Sequence, residues 1–300
     1  MSMPESFEGR VVVGFDGSPV ASHALDWAAN YSAKRSLVVS IMTAVQLPAP
    51  AVGDGSWFDP ASDILDEAAG RELKAGLEQL KGSHPDLTVE GFTVTDSPAR
   101  VLIEASETAE VVVVGSRGRG EIAGLMLGSV SNAVAAHARG PVVVVPKTVP
   151  ALTEGPIVVG VDAGDDGKVA FRFAMARAAE VGAPVTVVHA WGAMRSWTQS
   201  DAAHAELAAA VEKASYELLD HVVDEVSAEF PDVVVTKVSR HGSPSGTLVE
   251  LSRNARLVVV GSRGRGGFKG LLLGSTSRGV LHGSQAPVAI ITAPSDEGRR

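Results

Sequence analysis

Three glycines and a serine recur twice in this chain at one spacing. Gly115, Gly118, Gly128 and Ser129 form G-x2-G-x9-G-S behind the apolar run 111–114, and Gly261, Gly264, Gly274 and Ser275 repeat it behind 257–260. Glycines at the end of a strand let main-chain N–H groups approach an oxyanion with no Cβ in the way. A helix opening at Gly-Ser adds unpaired donors and the positive end of its dipole. The chemistry is anion binding, with phosphate the natural ligand. Ser129 and Ser275 are expected as helix N-caps whose hydroxyls can also face the ligand. One such copy reads equally well as turn and capping glycines; two at identical spacing favour a site.

The loops between these glycines concentrate positive charge. Ser116, Arg117 and Arg119 stand in the first SRGRG segment, and Ser262, Arg263 and Arg265 in the second. Arg117 and Arg263 suit bidentate hydrogen bonds to a phosphate. Upstream, VVVGFD ends in Gly14 and Asp16, and IVVGVD in Gly160 and Asp162. A carboxylate there can accept from ribose hydroxyls or an adenine amine, or it can cap a turn. Carboxylate and glycine loop together specify a nucleotide, where either alone is ambiguous.

These residues need a scaffold, and the chain supplies it twice. Every matched residue of the second half lies 146 positions beyond its counterpart, as Gly261 lies beyond Gly115, and no gap is needed. HPDLTV at 84–89 meets FPDVVV at 230–235, Ser97-Pro98 meets Ser243-Pro244, and Pro141 meets Pro287. Such a period is too long for a solenoid and fits two copies of one domain. Their bounds are expected at 8–147 and 156–294, with a linker at 148–155.

In the first copy, strands are expected at 10–15, 37–45, 87–94, 111–115 and 142–145. Helices are expected to follow Ser18-Pro19, an N-cap and N1 proline, and to cover 98–108 and 129–138. Leu65, Ala69, Leu73, Leu77 and Leu80 mark the inward face of a further helix. Residues 47–62, rich in Pro, Gly and Ala, read as a surface loop. Alternating short strands and helices imply an α/β fold of two tandem Rossmann-like domains, each a five-stranded parallel sheet of order 3-2-1-4-5 flanked by helices. Ligands of such sheets sit beyond the carboxyl ends of the strands where the connections reverse, here between strands one and four. Asp16 and Gly115 therefore meet at one crevice.

Composition narrows the function classes. Hydrophobic residues make up 45% and charged residues 20% of the 300, as in an ordinary globular protein with ample core. There is no cysteine, which removes disulfides, thiolate metal sites and a cysteine nucleophile and makes a reducing cytoplasm the expected compartment. No apolar run reaches the ~18 residues of a membrane span. A net charge of −9 argues against general attraction to nucleic acid. Walker, G-x-G-x-x-G and G-x-S-x-G patterns are absent, and His23, His137, His204, His221 and His282 have no partner at metal-ligand spacing. His189 reads as a core or pocket-wall histidine, and Trp57 and Trp197 as surface residues of loops that do not align.

The doubled G-x2-G-x9-G-(S/T), the strand-one V-G-x-D and the HAW at 189–191 resemble the universal stress protein family, and the likeness covers nearly all of the chain as two domains. The resemblance implies ATP as ligand, accompanied by Mg2+. Gly14 and Asp16, and Gly160 and Asp162, would lie against the adenosine, with Ala44 and Ala190, just after strand two, lining the adenine pocket. Ribose and phosphates would fall to Gly115, Arg117, Gly118, Gly128, Ser129 and Val130, matched by Gly261, Arg263, Gly264, Gly274, Ser275 and Thr276, with Ser116, Arg119, Ser262 and Arg265 in the same loops. It also implies pairing of like domains, met here within one chain, with a homodimer of chains as a further option through strand five at the sheet edge.

One departure stands out. The first copy continues Asp16-Gly17-Ser18-Pro19, the second Asp162-Ala163-Gly164-Asp165-Asp166-Gly167. Two extra carboxylates repel a triphosphate unless a cation intervenes, so the second site is expected to be the weaker or the more magnesium-dependent. DAGDDG itself reads as a turn. No catalytic residue is assigned, which favours a nucleotide-binding stress-response regulator. A slow ATP hydrolase using Asp16 or Asp165, and a partner-binding scaffold with structural nucleotide sites, are the alternatives; the sequence names no protein partner.

Overall fold

The structure is a computed structural model that describes residues 3–45, 60–118, 127–147, 154–162, 164–191, 202–263 and 273–293, with the side chains of 60–63 and 202–205 left aside. It divides into two compact units, Met1–Lys147 and Thr148–Arg300. Unit 1 runs β1 (Arg10–Gly14), α1 (Pro19–Ala33), β2 (Val38–Val45), α2 (Pro60–Ser83), β3 (Val89–Thr95), α3 (Pro98–Ala105), β4 (Val111–Gly115), α4 (Ser129–His137) and β5 (Val142–Val145). Unit 2 repeats the series as β6 (Ile157–Gly160), α5 (Asp165–Val181), β7 (Val185–Trp191), α6 (Ala202–Ser227), β8 (Val235–His241), α7 (Pro244–Leu251), β9 (Leu257–Gly261), α8 (Ser275–Gly283) and β10 (Val288–Ile291), with a 3-10 turn at Ser252–Asn254 after α7.

Within each unit the strands pair in parallel. In unit 1, β1 lies between β2 and β4, β3 pairs with β2 and β5 with β4. In unit 2, β6 lies between β7 and β9, β8 pairs with β7 and β10 with β9. Burial on both faces explains the unbroken valine runs: Val11, Val12, Val13, Val111, Val112 and Val113 are fully buried, as are Val159, Val258 and Ala289. In each unit the chain leaves the central strand in both directions, which opens a crevice at the carboxyl ends of β1 and β4, and of β6 and β9.

Local chemistry sets the boundaries. Ser18 caps α1, its Oγ accepting the Ala21 N–H at 3.2 Å with Pro19 in the first turn. Ala21, Leu25, Ala28 and Ala29 form its buried stripe. β2 begins at Val38, one residue later than expected, because Ser36 takes a left-handed φ of 54°. α3 stops at Ala105, short of 108, where Ser106 Oγ donates to the Ile103 carbonyl at 2.6 Å; Ser252 Oγ does the same to Val249 at 2.7 Å after α7. β3 starts at Val89 because residues 84–87 form a turn closed by Leu87 N–H to the His84 carbonyl. Along α2, Ala69 and Leu80 are buried while Leu65, Leu73 and Leu77 are half-buried. Most of the expected surface loop 47–62, with Trp57, lies outside the described residues, as does Trp197.

At the amino ends of the unit 1 strands, Arg10 Nη1 donates to Ser40 Oγ at 3.2 Å and pairs with Glu90, tying β1, β2 and β3 together. Pro156, Thr186 and Thr236 occupy the matching positions in unit 2 and offer no such pair.

Candidate functional site

The crevice of unit 1 is a cleft of about 280 Å³. Gly14, Asp16, Ala44, Gly115, Arg117, Gly118, Gly128, Ser129 and Val130 all line it. Ser116 is buried behind the wall, its carbonyl accepting the Gly128 N–H at 2.7 Å and Ser131 Oγ at 3.0 Å. Arg119 lies outside the described residues. Ala44 sits inside β2 and Ala190 inside β7, not after them, because each of these strands continues one residue further.

Asp16 has two roles at once. Its Oδ1 accepts the Ser18 N–H at 3.0 Å in a turn that places Gly17 at φ 76°, so the capping role is real. The same side chain borders the cleft and lies against Gly118, where any Cβ would overlap Oδ2. Gly14 forms the floor: a Cβ there would come within 2.8 Å of Leu102 Cδ1, so α3 packs flush against the strand end.

The anion end is built from main chain. Gly128, not Ser129, is the N-cap of α4, at φ −74° and ψ 161° and with no side-chain cap bond; Gly274 holds that place in α8. Ser129 and Ser275 are first-turn residues, because the extended backbone that a cap requires falls on the glycine. Their hydroxyls stand at the helix mouth, and the first-turn N–H groups carry the positive end of the helix dipole. Among the described residues, neither Ser116 Oγ nor the Arg117 N–H meets a protein acceptor.

Several lining residues carried no sequence signal of a site: Met42, two positions before Ala44 on the same strand face, and Pro98, Val101 and Leu102 from α3. Met42 was recoverable from strand alternation. The α3 residues were not, since their role depends on how that helix seats over the strand ends.

Unit 2 keeps the frame and alters its contents. A Cβ on Gly160 would meet Leu248 Cδ1 at 2.8 Å, as in unit 1, and Asp162 Oδ1 accepts the Gly164 N–H at 3.0 Å. Gly274 N–H donates to the Ser262 carbonyl at 2.8 Å, with Ser275 and Thr276 in the first turn of α8. Gly264 and Arg265 lie outside the described residues. The second half of DAGDDG is not a turn: Asp165, Asp166 and Gly167 open α5, where a helix favours carboxylates, and Gly164 is its N-cap. Asp166 Oδ2 accepts both Ser262 Oγ at 3.1 Å and the Arg263 N–H at 3.0 Å. The matching position in unit 1 is Val20, which is buried and carries no charge.

His189 is tied into a chain of side-chain hydrogen bonds. Trp191 Nε1 donates to Ser239 Oγ at 2.9 Å, Ser239 donates to Ser215 Oγ at 2.8 Å, and Ser215 lies 2.7 Å from His189 Nδ1. Ser215 Oγ therefore bridges Ser239 and the His189 ring. Burial pushes the His189 pKa down, partly offset by Asp162. Thr43 occupies the matching position in unit 1, and its buried Oγ1 has no hydrogen-bond partner among the described residues. Among the described residues, no group of three or more His, Cys, Asp or Glu could hold a metal ion, and no helix is long and apolar enough to cross a membrane.

Comparison with known proteins agrees with this architecture. The model of the universal stress protein family matches residues 9–146 and again 155–292. Universal stress protein Rv1996 of Mycobacterium tuberculosis is 33% identical over 320 residues, covering 95% of this chain and 96% of its own. Universal stress protein Rv2005c of the same organism is 33% identical over 306 residues, covering 97% and 99%. A crystal structure of a universal stress protein from Archaeoglobus fulgidus superposes with a TM-score of 0.68 at 20% identity, covering 97% of this chain and 99% of the other. Two family matches in tandem, on the two units the strands build, show that this chain belongs to the universal stress protein family.

Proposed function

We propose that the chain is a nucleotide-binding stress-response regulator that holds ATP, with Mg2+, in the unit 1 cleft. The carrying observation is that Arg117, whose N–H meets no protein acceptor among the described residues, and the mouth of α4 line one cleft with the Asp16 carboxylate. Asp16 receives the ribose hydroxyls, Gly14, Met42 and Ala44 form an apolar wall for the adenine, and the 115–118 loop with Gly128, Ser129 and Val130 takes the phosphates. Arg117 adds a cation to that end. The Mg2+ arrives with the triphosphate and offsets its charge, a requirement set by the ligand and not by a carboxylate cage.

Nucleotide occupancy, not turnover, is the proposed output. Asp16 Oδ1 is committed to its turn, and His189 Nδ1 is already engaged by Ser215 Oγ, so neither is a ready general base. Equilibrium dialysis of the purified protein against millimolar ATP, ADP and cyclic AMP tests the reading. Mass spectrometry of nucleotide released from freshly purified protein identifies the ligand. Binding of at least one adenine nucleotide is expected, with no excess ADP formed over hours; no binding of any of the three overturns the proposal.

A further inference from the structure

We propose that Asp166 is a built-in counter-ligand, a carboxylate of the protein that takes the phosphate's place in the glycine loop of unit 2 and bars anionic nucleotides from it. The inference rests on the reading that these loops are phosphate sites. In unit 1, Ser116 Oγ and the Arg117 N–H find no protein acceptor among the described residues. In unit 2 the equivalent donors, Ser262 Oγ and the Arg263 N–H, both converge on one oxygen, Asp166 Oδ2, at 3.1 and 3.0 Å.

The two backbones are otherwise alike at this point. A Cβ on Gly115 would meet Val20 Cγ1 at 3.0 Å, and a Cβ on Gly261 would meet Asp166 Cβ at 2.8 Å. The first turn of the helix after strand one therefore approaches the loop equally closely in both units, and only the side chain differs. Asp166 is delivered from a rigid helix, and its charge is favoured there by the helix N-terminus. A charge-assisted bond to an N–H is the same kind of bond a phosphate oxygen would make. An incoming phosphate must displace a tethered ligand at high effective concentration and then sit beside its negative charge. Asp165, the other extra carboxylate, is exposed and makes no such contact with the loop among the described residues.

The test is a titration of 15N-labelled full-length protein with ATP and Mg2+, following the Arg117 and Arg263 amides. In the unaltered chain the Arg117 amide is expected to shift and the Arg263 amide to stay unmoved at the same concentrations. Asp166→Val, which installs the unit 1 residue, is expected to make the Arg263 amide respond, with unit 2 affinity raised roughly 100-fold. Asp166→Asn keeps the shape and removes the charge, and is expected to give a smaller rise of about 10-fold. An Arg263 amide that shifts together with Arg117 in the unaltered chain overturns the proposal, as does one that stays silent in both variants. A silent Arg117 would defeat the unit 1 reading alone, while the Arg263 response on replacing Asp166 would still decide this one.

Discussion

The two glycine loops are nearly identical in sequence, SRGRG behind a valine strand in each, yet their donors end in different places. Loop 1 leaves Ser116 Oγ and the Arg117 N–H without a protein acceptor among the described residues, with Arg117 lining the cleft, while loop 2 gives the same pair to Asp166. A binding motif thus reports what a loop can donate, and only its neighbours decide whether a ligand receives it. In this pair of domains the deciding neighbour comes from the helix facing the loop, at positions 20 and 166.

The largest expected effect that would sharpen this contrast is at Gly118. An added Cβ falls on the Asp16 carboxylate, so Gly118→Ala should weaken nucleotide binding in unit 1 by roughly 100-fold, near 2.7 kcal/mol, when measured by calorimetry. Unchanged affinity would break the assignment of the Asp16 side of the cleft.

The next effect should be the same in both units. Gly14→Ala and Gly160→Ala each press a methyl group into a leucine at 2.8 Å, Leu102 or Leu248, and should each cost about 1–3 kcal/mol as read by native-state hydrogen exchange of the flanking strands. A large inequality would show that the two floors are built differently.

A smaller effect concerns acid. Burial holds the folded His189 pKa below the unfolded value near 6.5, so the unfolded chain binds the extra proton more readily. The stability of unit 2 should therefore fall as pH drops through about 6.5 and continue to fall until the folded pKa is passed. Urea denaturation at pH 7.5 and pH 5.5 reads this loss, and His189→Gln should reduce it. An unchanged pH dependence in that variant would remove His189 as its source.

The smallest effect is expected at Arg10. Arg10→Gln breaks a half-buried ion pair with Glu90 that unit 2 lacks, and should lower unit 1 stability by about 0.2–1 kcal/mol in chemical denaturation.

Much of the frame was legible from residues alone. The limits of β4 and β5 follow from valine runs closed by glycine or proline, and Ser18-Pro19 announced the start of α1. The meeting of Asp16 with the glycine loop followed from topology. Cap position was off by one at Gly128 and Gly274, since Gly-Ser offers two residues able to cap and the backbone dihedral decides between them. Asp165 and Asp166 were visible as extra charge, but nothing local distinguishes the exposed one from the one that reaches Ser262 across 96 positions. Leu102 and Leu248 were equally opaque, because a helix stripe does not say which glycine lies beneath it.

The clasp of Arg10 with Ser40 and Glu90 lies on the rim opposite the candidate cleft, where parallel strands begin. Durability and recognition in unit 1 are therefore tuned from separate edges. A thermal-tolerance screen can work on the starting rim of the sheet and leave the surroundings of the Asp16 cleft intact.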